Sequence, residues 1–385
     1  MKKILYLHAS AELYGSDYVL LNLLKALDRK KFYPEVILPF KGPLCGLLDE
    51  AGIDYFIHDL AVLRRNCFTV PGLALFGLRF LVSFIFLVFF IHRHGIEIVH
   101  TNTSAVWVGG IAAKLLRKKH IWQVMELVEK PRIVFYAMSR ITGIFSDRVF
   151  TISDAVRKHF LVFNKGMEDK FETLYHGVDL KEYDWRNNNR EKIRNQIGID
   201  KNTFVVGMAG RINQWKGQDV FVDCIHEVLG MTDKNIHFLI LGGCFKGQEH
   251  YEKELVDRIN KLSVQSNVTV AGFQKNFADW LSAMDVFVLP SKLPEPNATV
   301  TLAAMAMKLP VIGTNIGGTR ETVLDNETGF LIEPSKPFVL AEKILSLIIM
   351  DRKVRISMGE QGYLRVKKKF SLSNYCQTVI RAYTS

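Results

Sequence analysis

Two apolar rhythms alternate along this chain. Short runs of aliphatic and β-branched residues occur at residues 4–8, 35–39, 54–58, 96–100, 120–124, 147–152 and 171–176. They have the length and composition of buried parallel strands. Between them, apolar positions recur every three or four residues. Val19, Leu20, Leu23, Leu24 and Leu27 predict a helix over residues 17–27 after a loop that contains Gly15. Residues 42–51 and 105–116 read as further helices, and Ser153 stands where an N-cap opens another. Strand, loop and helix in this order predict a doubly wound α/β sheet, whose ligands gather at the carboxyl ends of the strands.

The scheme pauses at polar residues 181–194, a linker running into a charged helix, and then restarts. Strands are predicted at residues 204–209, 236–241, 268–271, 286–289 and 311–312. Helices are predicted at residues 218–229, 251–262, 277–284, 297–307, from 320, and at 338–349 and 351–369. Two doubly wound domains follow, residues 1–180 and 181–365, with a terminal segment 366–385. At 385 residues each domain is long enough to bury its own core.

Residues 73–91, LALFGLRFLVSFIFLVFFI, break the rhythm. The run is long enough to span a bilayer. Arg79 lies inside it, however, and the strand at residues 96–100 follows directly. A helix between two parallel strands packs on their sheet. The expectation is one face on the sheet, with excess apolar surface open to lipid.

Charge sharpens that expectation. The net charge is +11, and residues 60–120 hold eight Lys and Arg against one acid, Glu97. This predicts attraction to an anionic membrane face from the cytoplasmic side. There is no nucleic-acid module and no interleaving of aromatic with basic residues, so nucleic acid is not an expected partner. The five cysteines are scattered, without a C-x-x-C pair, which fits a reducing compartment and no structural metal. The apolar run after Lys2-Lys3 is too short for a secretory signal and reads as the first strand.

The densest chemistry lies between Ser291 and Pro334. Two loop-to-helix junctions there offer unpaired amides to a phosphate, one near Asn297-Ala298-Thr299 and one after Gly317-Gly318. Glu295 sits just before the first. Upstream, Gly210-Arg211 and Lys216-Gly217 bracket a loop at a strand end.

Together these residues resemble the retaining glycosyltransferases of the GT-B fold, family 4. The resemblance rests on Gly210, Arg211, Lys216 and Gly217, then Glu295-Pro296, Ala304-Met305-Ala306, Leu309-Pro310-Val311-Ile312, Gly317-Gly318, Glu321, Val323 and Gly329-Phe330-Leu331. In the first half, Gly177-Val178-Asp179 resembles the family's N-G-V-D turn, with His176 replacing Asn. Two departures from the pattern stand out: Asn297-Ala298 replaces Phe-Gly, and Ala303 replaces the second Glu of a Glu-x7-Glu pair.

The resemblance implies two Rossmann-like domains with a cleft between them and a last helix that crosses back to the first; Lys367-Lys368-Lys369 either marks that crossing or is a solvated end. It implies a nucleotide-diphosphate sugar as donor substrate and no cofactor. It gives Arg211 and Lys216 the leaving diphosphate and Glu295 the transferred sugar. Gly15, Gly210, Asn297, Ala298, Thr299, Ala303 and Glu321 fall at donor-binding positions. His100, Asn102 and Glu126 are acceptor-side candidates, followed by Glu129-Lys130, although His100 reads better as a satisfied core histidine. Paired cations without an acidic cluster point to metal-independent transfer. The acceptor expected is lipid-linked or a growing surface polysaccharide. The alternatives are a catalytically impaired subunit that partners an active enzyme, which the loss of a Glu at Ala303 motivates, and a nucleotide-sugar epimerase.

Overall fold

The computed structural model describes residues 1–13, 15–127, 131–187 and 189–384. The chain forms two compact units, Met1–Gly177 with Leu372–Ser385, and Val178–Ser371.

Unit 1 runs β1 (Lys2–Leu7), α1 (Gly15–Ala26), β2 (Phe32–Leu38), α2 (Pro43–Glu50), β3 (Asp54–Ile57), α3 (Val70–His94), β4 (Ile98–Thr101), α4 (Val108–Leu115), β5 (Lys119–Val124), α5 (Arg132–Ile144), β6 (Arg148–Thr151), α6 (Asp154–Leu161) and β7 (Phe171–Thr173). The strands are all parallel, in the order β3-β2-β1-β4-β5-β6-β7. The reversal between β1 and β4 makes the sheet doubly wound. Ser153 caps α6, its side chain accepting from the Val156 amide.

Unit 2 repeats the plan with α7 (Arg190–Gln196), β8 (Phe204–Ala209), α8 (Gln218–Met231), β9 (Ile236–Leu241), α9 (His250–Lys261), β10 (Val268–Val270), α10 (Phe277–Ser282), β11 (Val286–Leu289), α11 (Thr299–Ala306), β12 (Val311–Thr314), α12 (Thr319–Thr322), β13 (Gly329–Ile332), α13 (Pro337–Ile349) and α14 (Arg352–Lys369). Its sheet order is β10-β9-β8-β11-β12-β13. Buried Arg194 ties α7 to this sheet, donating to the Ala283 and Thr203 carbonyls and to Asp285.

After α14 the chain makes a two-residue break, Phe370-Ser371, and forms a separate helix, α15 (Leu372–Thr384), which belongs to unit 1. Tyr6, His100 and Ile121 lie side by side across β1, β4 and β5 and face the core that also takes in α1, α2 and α15. Leu5, Leu7 and Val99 point the other way, into the core shared with α3 and α4. The lysine run Lys367–Lys369 therefore lies in the last turn of α14, ahead of the crossing.

Helix α3 is long and apolar enough to cross a membrane by length and composition, yet it is anchored along one face. Phe76, Ser83, Leu87, Phe90 and Ile91 are buried. Arg79 donates to both Asp59 oxygens at 2.5 and 2.7 Å, which holds that carboxyl below the usual carboxylate range, and Ser83 Oγ donates to the Asp59 carbonyl at 2.5 Å. The opposite face leaves Leu78, Leu81, Val82, Ile85 and Phe89 exposed.

Three buried histidines make unit 1 acid-sensitive. Burial pushes His100 down to about 3 and His120 and His176 down to about 4. Each is neutral in the folded state, whereas the unfolded chain takes up a proton near pH 6.5. Their stabilisation is complete above that pH and is lost as pH falls towards the folded values. Each histidine costs about 1.4 kcal/mol per pH unit in that window. We expect the urea midpoint to drop steeply between pH 6.5 and 5. A midpoint that holds constant over this range contradicts neutral burial of the three.

Candidate functional site

The carboxyl end of the unit 2 sheet carries the chemistry. Leaving β8, the chain turns through Gly210 and Arg211 to Asn213, whose Oδ1 accepts from the Trp215 and Lys216 amides, both at 3.1 Å. This side-chain turn fixes the loop's shape. Gly217 closes it in the left-handed region, at φ +78°, and a Cβ there would lie 2.0 Å from the Pro290 carbonyl oxygen. The Lys216-Gly217 corner is thereby pressed against the end of β11.

The adjoining loop after β11 supplies Ser291 and Glu295. Lys216 Nζ lies 2.8 Å from Glu295 Oε1, and Ser291 Oγ donates to the same oxygen at 2.8 Å. The carboxylate is 9% exposed and the lysine 17%, so the pair is largely withdrawn from water, where a charge-assisted bond is strong. The Glu295 backbone is held as well. Gly318 donates its amide to the Glu295 carbonyl at 2.7 Å. Gly317, at φ +57°, approaches so closely that a Cβ would sit 2.4 Å from the same oxygen. The second glycine-rich junction thus serves as a cradle for Glu295.

Arg211 lies on the other side of the loop, its guanidinium 3.4 Å from the centroid of the Phe245 ring. Its carbonyl accepts from Gln218 Nε2 at 2.9 Å. Stacking on an aromatic face leaves the in-plane N–H groups of a guanidinium to meet oxygen atoms. Helix α11 starts at Thr299 with Ala298 as its N-cap and no side-chain cap bond. Asn297 is nearly buried beside it. Glu321 lies in α12, where Arg365 Nη2 donates to its carbonyl at 2.7 Å. Among the described residues, no three His, Cys, Asp or Glu side chains gather as a metal site requires.

Ala303 is 2% exposed and packs inside α11. A glutamate there would enter occupied space, with the cost of overpacking added to that of a buried charge. We expect Ala303→Glu to lower stability by about 2–4 kcal/mol without tightening nucleotide binding. A variant that melts like the parent and binds a nucleoside diphosphate more tightly refutes this.

On unit 1 the acceptor-side candidates separate. His100 lies within β4, fully buried, with Nδ1 2.5 Å from the Tyr383 hydroxyl and its ring stacked on Tyr6. It packs in the core, on the face that α15 covers. Glu126 follows β5, but Thr103 Oγ1, Ser104 N, Ser104 Oγ and Met125 N all donate to its carboxylate. It clamps the loop after β4. Asn102 continues β4 beside β1, its amide bonded to the Leu7 carbonyl and its buried Oδ1 without a hydrogen-bond partner among the described residues. Gly15 opens α1. Glu129 and Lys130 lie outside the described residues.

Three contacts were passed over in the sequence. Ser291 and Phe245 support Glu295 and Arg211; each lies in the loop that follows a strand, β11 and β9 respectively, the one signal available. His8 and Asp17 form a buried pair at the end of β1, with His8 Nε2 2.5 Å from Asp17 Oδ1.

Comparison with known proteins identifies the family and the fold. Residues 14–182 match the family described as Glycosyltransferase Family 4, and residues 189–365 match Glycosyl transferases group 1. The chain is 27% identical over 302 residues to the capsular polysaccharide biosynthesis glycosyltransferase CapM of Staphylococcus aureus, covering 76% of this chain and 77% of that one. It is 26% identical over 215 residues to the lipopolysaccharide core biosynthesis mannosyltransferase LpsB of Rhizobium meliloti, covering 55% and 60% of the two. Among solved structures, Anabaena HepE in complex with UDP and glucose superposes with a TM-score of 0.84 over the full length of both chains, at 23% identity. The chain belongs to the family 4 glycosyltransferases and has the GT-B fold.

Proposed function

We propose that this glycosyltransferase moves a sugar from a nucleotide-diphosphate donor to a lipid-linked or polysaccharide acceptor in cell-surface glycan synthesis, with retention of configuration and without a metal ion. The observation that carries the reading is the Lys216–Glu295 pair at the ends of β8 and β11, with Arg211 on the same loop as Lys216. Arg211 and Lys216 neutralise the departing diphosphate. Glu295 accepts hydrogen bonds from hydroxyls of the transferred sugar. The bond from the anomeric carbon to the phosphate oxygen breaks while the acceptor oxygen bonds on the same face. The acceptor proton passes to the phosphate oxygen that leaves. The UDP and glucose held by HepE and the capsular and lipopolysaccharide roles named for CapM and LpsB support the substrate classes. The paired cations support metal independence.

The test is transfer from a panel of nucleotide sugars to a polyprenyl-diphosphate-linked sugar, with the product anomer read by NMR and EDTA present. Retained configuration and undiminished activity are expected. Inversion, loss of activity restored by magnesium or manganese, or an epimerised donor formed without acceptor each overturns a part of the reading.

The same reading places the enzyme on the inner face of a membrane. The exposed apolar stripe of α3 and the exposed cations Arg64, Arg93, Lys114 and Arg117 on the same unit support it. Apolar burial combined with attraction to anionic lipid weakens in salt. The protein should float with vesicles rich in phosphatidylglycerol at low salt and be released by about 0.5 M NaCl, where the screening length is only a few ångströms. No flotation at low salt removes the membrane assignment.

A further inference from the structure

Glu295 and Lys216 come from different loops, and each would have another partner during the reaction. Lys216 is the proposed diphosphate ligand and Glu295 the proposed sugar ligand, yet here they hold each other at 2.8 Å. The glutamate has little freedom to withdraw. Ser291 binds its Oε1, Gly318 binds its carbonyl, and Gly317 packs against its backbone. A diphosphate that takes Lys216 therefore settles beside a fixed negative charge.

We propose that Glu295, besides contacting the sugar, uses its charge to expel the spent nucleoside diphosphate. This rests on the reading of Lys216 and Arg211 as diphosphate ligands. In the donor, the β-phosphate is esterified to the sugar, whose hydroxyls face the carboxylate and donate to it. Transfer breaks the bond between the anomeric carbon and the β-phosphate oxygen and forms the bond to the acceptor oxygen. The acceptor proton goes to that phosphate oxygen and then to water, because the second ionisation of such a phosphate falls near pH 6. The product has gained a negative charge and lost the hydroxyls. The carboxylate then repels the terminal phosphate across a short, poorly solvated distance and competes with it for Lys216. One residue thus favours the loaded donor over the empty one, which matters where product release limits turnover.

Isothermal titration of UDP, GDP and ADP into the wild type and single variants tests this. Glu295→Gln keeps the shape and removes the charge. The best-bound diphosphate should bind it about tenfold more tightly, although its turnover falls. Lys216→Ala should bind it at least about tenfold more weakly. If Glu295→Gln does not fold, Glu295→Ala is titrated in its place. Equal or weaker binding by the charge-neutral variant, with Lys216→Ala still weakened, overturns the expulsion role and leaves the diphosphate reading standing. If Lys216→Ala binds as the wild type does, or no diphosphate binds the wild type at millimolar concentration, the diphosphate reading fails and the inference with it.

Discussion

Lys216→Ala and Arg211→Ala should each lower turnover by at least about a hundredfold, the loss that follows removal of one preorganised group from a developing charge. That factor corresponds to about 2.7 kcal/mol of transition-state stabilisation. The two variants should fail for different reasons. Lys216 is a mobile point charge, held by Glu295 and brought to its place by the Asn213 turn and the Gly217 corner. Its removal also leaves Glu295, 9% exposed, with Ser291 as its remaining side-chain donor, so some stability should be lost with activity. Arg211 is instead spread over Phe245, and Arg211→Lys should not restore turnover, because an ammonium lacks the planar fork and the stacking face. Steady-state rates at saturating donor, with melting curves to confirm folding, decide the matter. Near-normal turnover in both alanine variants removes the diphosphate assignment.

The order of the fold was legible because parallel strands buried on both faces must be continuously apolar. Residues 204–209, 236–241 and 286–289 announced themselves in this way and lie where expected. Strand β13 was less visible, since four residues that begin with a glycine carry little periodicity. Helix α5 was missed because Ser139 and Thr142 occupy buried positions on its inner face, which breaks the apolar stripe a sequence reading relies on. Glu295, Arg211 and Lys216 could be singled out from spacing, but their mutual geometry could not. Nothing in the spacing says that Lys216 reaches the carboxylate, or that Gly317 and Gly318 hold its backbone. The surroundings of His100 and Glu126 were illegible for a related reason. Polar residues near strand ends look available to a ligand until the partners that occupy them, Tyr383 and the Thr103-Ser104 turn, are placed. Those partners come from a helix far along the chain and from a loop, and neither pairing is written in the local pattern.

Removal of α15 by ending the chain at Phe370 should abolish the independent fold of unit 1. The helix buries Tyr375, Cys376, Val379, Ala382 and Tyr383. At about 1.5–3 kcal/mol for each large apolar side chain, the loss is on the order of 10 kcal/mol once the smaller residues are added. A domain's whole stability is only about 5–15 kcal/mol. The polar contacts deepen the loss. The Tyr383 hydroxyl lies 2.8 Å from Tyr6 Oη and 2.5 Å from His100 Nδ1, and Tyr375 Oη donates to Gln123 Oε1 at 2.8 Å. Truncation would leave an imidazole, a phenol and an amide on an exposed sheet face. The truncated chain should accumulate as insoluble protein, or melt without a cooperative transition from unit 1. Tyr383→Phe should fold, because the ring still fills its place. It should lose about 1–3 kcal/mol, since the hydroxyl that serves both Tyr6 and His100 is gone. It should also shift the acid transition, because His100 loses the neighbour that meets its Nδ1. A truncated protein that stays soluble and melts at the wild-type temperature would mean that α15 is an ornament on unit 1. The burial of Tyr6 and His100 beneath it argues that it is part of the core.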